Sequence, residues 1–281
     1  MAIIETEKLT YTYPGAEKTS IENISIKIEE GEFVLLTGPS GCGKTTLCRC
    51  FNGLIPHFYE GKLEGKIQVV GLDVVKHPIH ELAKHVGLVF QNPENQLFAL
   101  SVEKDVAFGL ENLGIPRKEI RQRVDWALKT TDIYHLRERP PYELSGGQQQ
   151  RVAIASVLAM QPEVMVLDEP TSFLDPLGAK RIFEDIHKLN KELGITIILV
   201  EHRLDLTAKY ANRIIIMDNG KVILNGKPRE ILDSEKARLI GIGIPKVTRL
   251  YQFLNGKGMR LNYVPLSSEE MAKKLKEVFK Q

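Results

Sequence analysis

An α/β fold with a mostly parallel sheet covered on both faces follows from three observations. Short apolar runs at Val164 to Leu167, Thr196 to Val200 and Arg213 to Met217 read as buried strands. Helical stretches such as Ala179 to Leu193 separate them. A fourth run, Glu32 to Thr37, leads straight into a Gly-rich turn and then into Thr45 to Asn52, the opening of a helix. Strands that are apolar at nearly every position have both faces buried, and alternation with helices is how parallel strands are joined.

Taken in order, the segment before residue 91 favours strands. Tyr11 to Tyr13 and Ile24 to Ile28 alternate with period two, and Glu32 to Thr37 is a short buried run. From about 101 to 133 the period becomes helical, with Pro116 in a helix-start position and Ile120, Val124 and Leu128 four apart. Beyond Pro228 the spacing predicts two amphipathic helices. One buries Val247, Leu250, Tyr251 and Leu254 and ends at Gly256. The other opens on a capping box, Ser267 with Glu270, and puts Met271, Leu275, Val278 and Phe279 on one face. These helices serve either as an appendage packed on the main domain or as an interaction surface.

Composition removes several classes. The 281 residues suit one large domain, or a main domain with a small appendage. With 43% hydrophobic and 26% charged residues, collagen-like, coiled-coil and disordered chains are excluded. The net charge is +2 and no long run of like charge occurs, so nucleic acid is not the expected partner. No stretch approaches the ~20 apolar residues of a membrane helix. The start, Met1 to Glu5, has an early acid and no apolar run of signal length, so the expected location is the cytosol. Cys42, Cys48 and Cys50 are then expected to be reduced, their odd number and clustering being unsuited to a disulfide framework. His77, His80 and His85 lie in a loop region without a carboxylate pair or Cys nearby, which argues against a metal site there.

The chemistry begins at Gly38 to Thr45, which fits G-x-x-x-x-G-K-S/T between an apolar strand and a helix. Glycines let successive backbone N–H groups turn toward phosphate oxygens, and the following helix adds its positive end. The loop residues Gly38, Ser40, Gly41, Cys42 and Gly43, with Lys44, Thr45 and Thr46, form the candidate phosphate cradle. Lys44 supplies a point charge for the β- and γ-phosphates, and the Thr45 hydroxyl can ligate Mg²⁺. The implied ligand is ATP or GTP. A second piece is the apolar strand ending in Asp168 and Glu169, which delivers two carboxylates to the same sheet edge. Asp168 can hold the Mg²⁺ shell, and Glu169 can orient or deprotonate the attacking water.

Leu144-Ser145-Gly146-Gly147-Gln148 then precedes an apolar helical run, Val152 to Met160. With the phosphate loop upstream and the strand-end acids downstream, the chain resembles the ABC-type ATPases, whose signature is LSGGQ. Ser145, Gly146 and Gly147 at a helix start make a second anion-binding end, yet the chain has one phosphate loop. The resemblance implies two subunits head to tail, homodimer or heterodimer, each signature covering the ATP held by the other. It implies a P-loop NTPase fold with an N-terminal antiparallel β subdomain, a helical subdomain at about 95–160 within an ATPase domain at 2–230, and a C-terminal helical extension at 231–281.

Position by position, the resemblance casts Tyr13 as the aromatic that stacks on adenine, a core aromatic being the alternative. It casts Gln91 as a Mg²⁺ ligand that relays to a membrane partner, and Asp175 as the loop acid that signals across the dimer. Phe173 stands where a small residue is usual. His202 matches the γ-phosphate-sensing histidine, preceded by Glu201 rather than the commoner Thr. Phe90 to Phe98 followed by Val102 to Gly109 resembles the ATPases of energy-coupling-factor transporters, which import vitamins and transition-metal ions. The C-terminal helices, including Ile244 to Val247, resemble the extension those ATPases carry. The resemblance implies a transmembrane scaffold, a substrate-binding membrane subunit, and a peripheral place on the cytoplasmic side of the cell membrane. Leu97 and Phe98, apolar in a polar loop, are expected to make the membrane-partner contact, or else to pack beneath the loop. Other readings are the ATPase of another ABC importer class, a soluble ABC ATPase acting on DNA or ribosomes, and a regulatory subunit that binds ATP without turnover. The segment between Gln91 and Ser145 is short for the coiled-coil insert of the soluble class, and Glu169 with His202 argues against the regulatory one.

Overall fold

The computed structural model describes residues 1–259 and 261–279. Its strands run in chain order β1 (Ala2–Thr12), β2 (Ile21–Ile24), β3 (Lys27–Glu29), β4 (Phe33–Thr37), β5 (Lys62–Val69), β6 (Leu72–Asp73), β7 (Val86–Val89), β8 (Val164–Asp168), β9 (Thr196–Val200), β10 (Arg213–Asp218) and β11 (Lys221–Gly226). One sheet has the order β2-β1-β5-β6, with β3 also on β1, and its pairings are antiparallel. The other has the order β11-β10-β4-β9-β8-β7 and is parallel except for the β10–β11 hairpin. The expected α/β class with an N-terminal antiparallel sheet is therefore present.

Alternation within the parallel strands shows why they are apolar throughout. Val34 and Leu36 of β4, Val164 and Val166 of β8, and Ile198 and Val200 of β9 join one core, on the side of the antiparallel sheet and helix Lys44–Phe51. Their neighbours Phe33, Leu35, Met165, Leu167, Ile197 and Leu199 join a second core under helices Gly146–Ala159 and Pro176–Leu193. Each fully buried side chain of this size stabilises by about 1.5–3 kcal/mol relative to exposure, so both faces contribute. A third core, with Val106, Leu110, Val124 and Leu128, lies between helices Val102–Asn112, Arg117–Thr130 and Gly146–Ala159.

The run Ile24 to Ile28 is two strands rather than one. The Thr6 hydroxyl donates to the Ile24 carbonyl and accepts from the Ile26 N–H, both at 3.0 Å, so a side chain replaces backbone partners and β2 stops at Ile24. The tail differs too. Among the described residues, four helical segments follow β11: Pro228–Asp233, Glu235–Leu239, Lys246–Gly256 and Ser268–Val278. Ile231, Leu232, Ala237, Ile242 and Ile244 pack into the second core, whereas Tyr251, Leu261, Val264 and Met271 form a small core of their own. Leu250 is exposed because Thr248 and Tyr251, three apart on one helix face, turn inward and leave Leu250 on another. Phe279 is also exposed, and the stem of Lys274 takes the inward place. Ser267 caps its helix by accepting from the Glu270 N–H, but the reciprocal half of the box is absent. The Glu270 carboxylate instead accepts from the Leu266 N–H and from Arg229. Among the described residues, no helix is long and apolar enough to cross a membrane.

Candidate active site

The parallel register brings the carboxyl ends of β4, β7, β8 and β9 to one edge, since Leu36 pairs with Val200, Asp168 with Val200, and Val89 with Leu167. Ligands of open parallel sheets bind at that edge. Here it carries a cavity of about 1110 Å³ lined by Ser40, Gly41, Gly43, Lys44, Thr45 and Thr46 on one side and by Gln91 and Glu169 on another. Cavities of this size take ligands of several hundred daltons.

The loop after β4 is fixed by glycines. Gly38 (φ 149°) and Gly43 (φ 102°) hold backbone angles that side chains rarely adopt, and a Cβ would strike the carbonyl oxygens of Met217 and Ser20 respectively. Lys44 is buried, and its amine donates to the carbonyls of Gly38 and Pro39, each at 3.0 Å. Cys42, Cys48 and Cys50 are free and buried. Burial pushes the Cys48 thiol well up and raises Cys50 as well.

Behind the loop, Asp168 is buried and its Oδ1 has no hydrogen-bond partner among the described residues. Burial raises its pKa, while a hydrogen bond from Thr45 acts against that rise. Glu169 has φ 49°, a left-handed conformation costly for a non-glycine residue and typical of functional turns. Its carboxylate takes three side-chain contacts: His202 Nε2 at 3.0 Å, Gln91 Nε2 at 3.0 Å and Ser172 Oγ at 3.2 Å. The His202 hydrogen bond holds Glu169 below the ordinary carboxylate range in spite of partial burial, so it is ionised near neutral pH.

Other expected residues lie around this group. Tyr13 is half-buried and sits edge-on to Tyr11 at 4.8 Å. Its hydroxyl lies 3.4 Å from that of Thr46 and accepts from Arg49 at 3.0 Å. Ser145, Gly146, Gly147 and Gln148 do not line the large cavity. They open helix Gly146–Ala159, where the Ser145 and Gln148 side chains satisfy each other's backbone N–H. Gly146 instead borders a second cavity, of about 190 Å³, together with Phe173. Asp175 caps helix Pro176–Leu193 by accepting from the Gly178 N–H at 2.8 Å.

The sequence reading missed several groups. Glu17 to Ser20 and Asn219-Gly220 line the large cavity from turns that follow β1 and β10, and no pattern in them marks more than a turn. Asp105 is buried and accepts from the Phe98 and Ala99 N–H groups, each at 3.1 Å, so it fixes the loop that presents Phe98. Of the two apolar loop residues, Leu97 packs between cores, whereas Phe98 is exposed and stacks edge-on against exposed Phe108 at 4.7 Å.

Comparison with known proteins agrees with this fold. Residues 21–172 match the ABC transporter family. The energy-coupling factor transporter ATP-binding protein EcfA1 of Clostridium perfringens is 44% identical over 97% of this chain and 97% of its own length. A protein of Methanosarcina mazei, named by inference an ABC transporter ATP-binding protein, is 47% identical over 99% of this chain, which spans 47% of that relative's length. Among solved structures, cbiO1 of Clostridium perfringens, described as part of the ABC transporter complex cbiONQ, has a TM-score of 0.76 and 39% identity, covering 90% of this chain and 99% of that one. The ATP-binding cassette MJ0796, a dimer bound to ADP and Pi, has a TM-score of 0.70 and 31% identity, covering 80% of this chain and 99% of its own. The chain belongs to the ABC transporter ATP-binding family. It is an ATPase, and among its relatives it is similar to those of energy-coupling-factor transporters.

Proposed function

We propose that this ATPase powers an energy-coupling-factor importer for a vitamin or a transition-metal ion of the cobalt or nickel kind. It docks on the cytoplasmic side of the cell membrane against a transmembrane scaffold that also holds a substrate-binding subunit. Residues 2–230 form the ATPase domain, with the helical subdomain at about 95–160, and residues 231–281 form the extension, whose first part packs into the main core. The likeness to EcfA1 over 97% of both chains supports the transporter class.

The observation that carries the site reading is the convergence of Gln91 and His202 on Glu169 beside the phosphate loop. The loop N–H groups and Lys44 hold the ATP phosphates, with Tyr13 beside the loop helix for the adenine. Glu169 orients the attacking water and takes its proton as the oxygen joins the γ-phosphorus and ADP leaves. His202, fixed on Glu169, faces the γ-phosphate. The unpartnered Asp168 Oδ1, the Thr45 hydroxyl and the free Gln91 amide oxygen are an all-oxygen set that fits Mg²⁺. When bound there, Mg²⁺ would neutralise phosphate charge. Ser145, Gly146, Gly147 and Gln148 then cover the nucleotide of a second ATPase chain, with Asp175 at the seam. Gln91 and the neighbouring Phe98–Phe108 pair form the transmission surface toward the membrane partner.

Affinity purification from native membranes in mild detergent, with mass spectrometry of the co-purifying proteins, tests the assembly. One scaffold membrane protein with small binding subunits is the expected outcome. Ribosomal or DNA-bound partners without membrane proteins would replace the proposal with the soluble class.

A further inference from the structure

Glu201 is a buried carboxylate that the reaction does not use directly. It follows β9, and its own N–H donates to the Leu36 carbonyl at 3.2 Å, where β4 enters the phosphate loop. Its Oε1 accepts from the His202 N–H at 2.8 Å and from the Arg203 N–H at 3.0 Å. Its Oε2 accepts from the Thr171 hydroxyl at 2.6 Å, and Thr171 is itself fully buried two residues after Glu169. A second tie runs parallel to it, because the Arg203 guanidinium donates twice to the Leu174 carbonyl, each at 3.2 Å, just before Asp175.

We propose that Glu201 is a positioning residue that fixes the His202 turn to the Glu169–Thr171 turn and so holds the His202–Glu169 pair in register with the phosphate loop. This rests on the roles given above to Glu169 and His202. Burying a carboxylate is costly unless donors surround it, and here three donors from two separate turns meet on one group. A carboxylate bound only to its own turn would be a local cap. Oε2 reaching Thr171 makes it a cross-link between the two elements that carry the reacting groups. Left-handed Glu169 needs such support, since a strained turn persists only where its surroundings over-determine it. Arg203 extends the bracket to the loop bearing Asp175.

ATP hydrolysis by the full chain tests this with four variants. Thr171→Val keeps shape but removes the cross-linking hydroxyl, and kcat is expected to fall about 10–100-fold with KM for ATP within about threefold, the mark of misplaced reacting groups. Thr171→Ser restores the hydroxyl and is expected to recover most of the loss. Glu201→Gln can still accept both N–H groups on its oxygen and donate to Thr171, so it should remain within about threefold of wild type. Glu169→Gln serves as the control for the underlying reading. If Glu169→Gln is inactive while Thr171→Val turns over at the wild-type rate, the bracket is wrong and the site reading stands. If Glu169→Gln itself hydrolyses normally, the site reading fails first. A Thr171→Val loss that Thr171→Ser does not recover, or that appears wholly in KM, would also overturn the bracket.

Discussion

The two glycine-bearing helix starts of this chain, at Lys44 and at Gly146, are built to different standards. At the carboxyl edge of the parallel sheet, Gln91, Ser172 and His202 are joined to Glu169 by hydrogen bonds, and Lys44 is held by the Gly38 and Pro39 carbonyls of its own loop, around a cavity of about 1110 Å³. At the start of helix Gly146–Ala159, the Ser145 and Gln148 side chains bond each other's backbone N–H, and Gly146 between them borders a small cleft. The first end has walls and reacting groups. The second has a helix dipole and two residues without side chains, which is half of a site. The difference teaches what the proposed dimer has to supply: a second ATPase chain would bring the missing wall, and one phosphate loop would then coexist with two such helix starts.

The largest effect expected from breaking the walled end is that of Glu169→Gln. kcat should fall about 10²–10⁴-fold while ATP still binds, as measured by phosphate release and calorimetry. Lys44→Ala removes charge-assisted contacts, and nucleotide affinity should drop about 10–100-fold. Unchanged affinity by calorimetry would remove the phosphate role from that loop. The comparison itself is sharpened by mixing two inactive chains, Lys44→Ala and Gly146→Asp. If a second copy supplies the missing wall, half of the dimers are mixed and each carries one intact site, so roughly a quarter of wild-type hydrolysis should return. No recovery would mean either a different partner chain or a site completed within one subunit.

The smallest effect lies in the extension. Burial works to raise the Glu270 pKa, but the Arg229 hydrogen bonds, the Leu266 N–H and the Arg229 charge outweigh it and hold the group below the ordinary carboxylate range. A depressed carboxylate stabilises the folded state above its unfolded pKa, and that contribution disappears as pH falls through the folded value. Arg229→Ala should therefore cost about 0.2–1 kcal/mol at pH 7, given that both partners are partly solvated, and the difference from wild type should shrink below about pH 4. Thermal melts at the two pH values measure it. Hydrolysis should be unaffected, because the pair borders the small core, where Arg229 donates to the Val264 carbonyl, and neither residue lines the large cavity.

Much of the fold and of the walled end was legible because its residues are contiguous. A strand, a glycine loop and a lysine stand in one stretch of chain, as do β8 and its two acids, so local pattern carries the chemistry. What sequence did not reveal depends on pairing in space. Glu201 read only as an unusual neighbour of His202, since nothing in the chain says that Thr171 comes to rest on it. No pattern in the chain marks Asp105 as the acid that holds the Phe98 loop. The Thr6 hydroxyl that divides β2 from β3 is far from both in sequence. Leu250 and Phe279 fit a helical stripe, but the orientation of each helix is decided by which neighbour it meets, and Thr248 and Lys274 took the inward places.

Helix Gly146–Ala159 has a mechanical consequence. Ala153, Ile154, Val157 and Leu158 belong to the core beneath the sheet, while Val152, Ala155 and Ala159 belong to that of the helical subdomain. A rod seated in two sockets cannot turn in one alone. At 14 residues it is about 21 Å long, so a tilt of about 10° at its seated end sweeps the Ser145 tip by roughly 4 Å. That is more than the length of a hydrogen bond, so a small repacking between two apolar cores is enough leverage to make or break a contact at the tip.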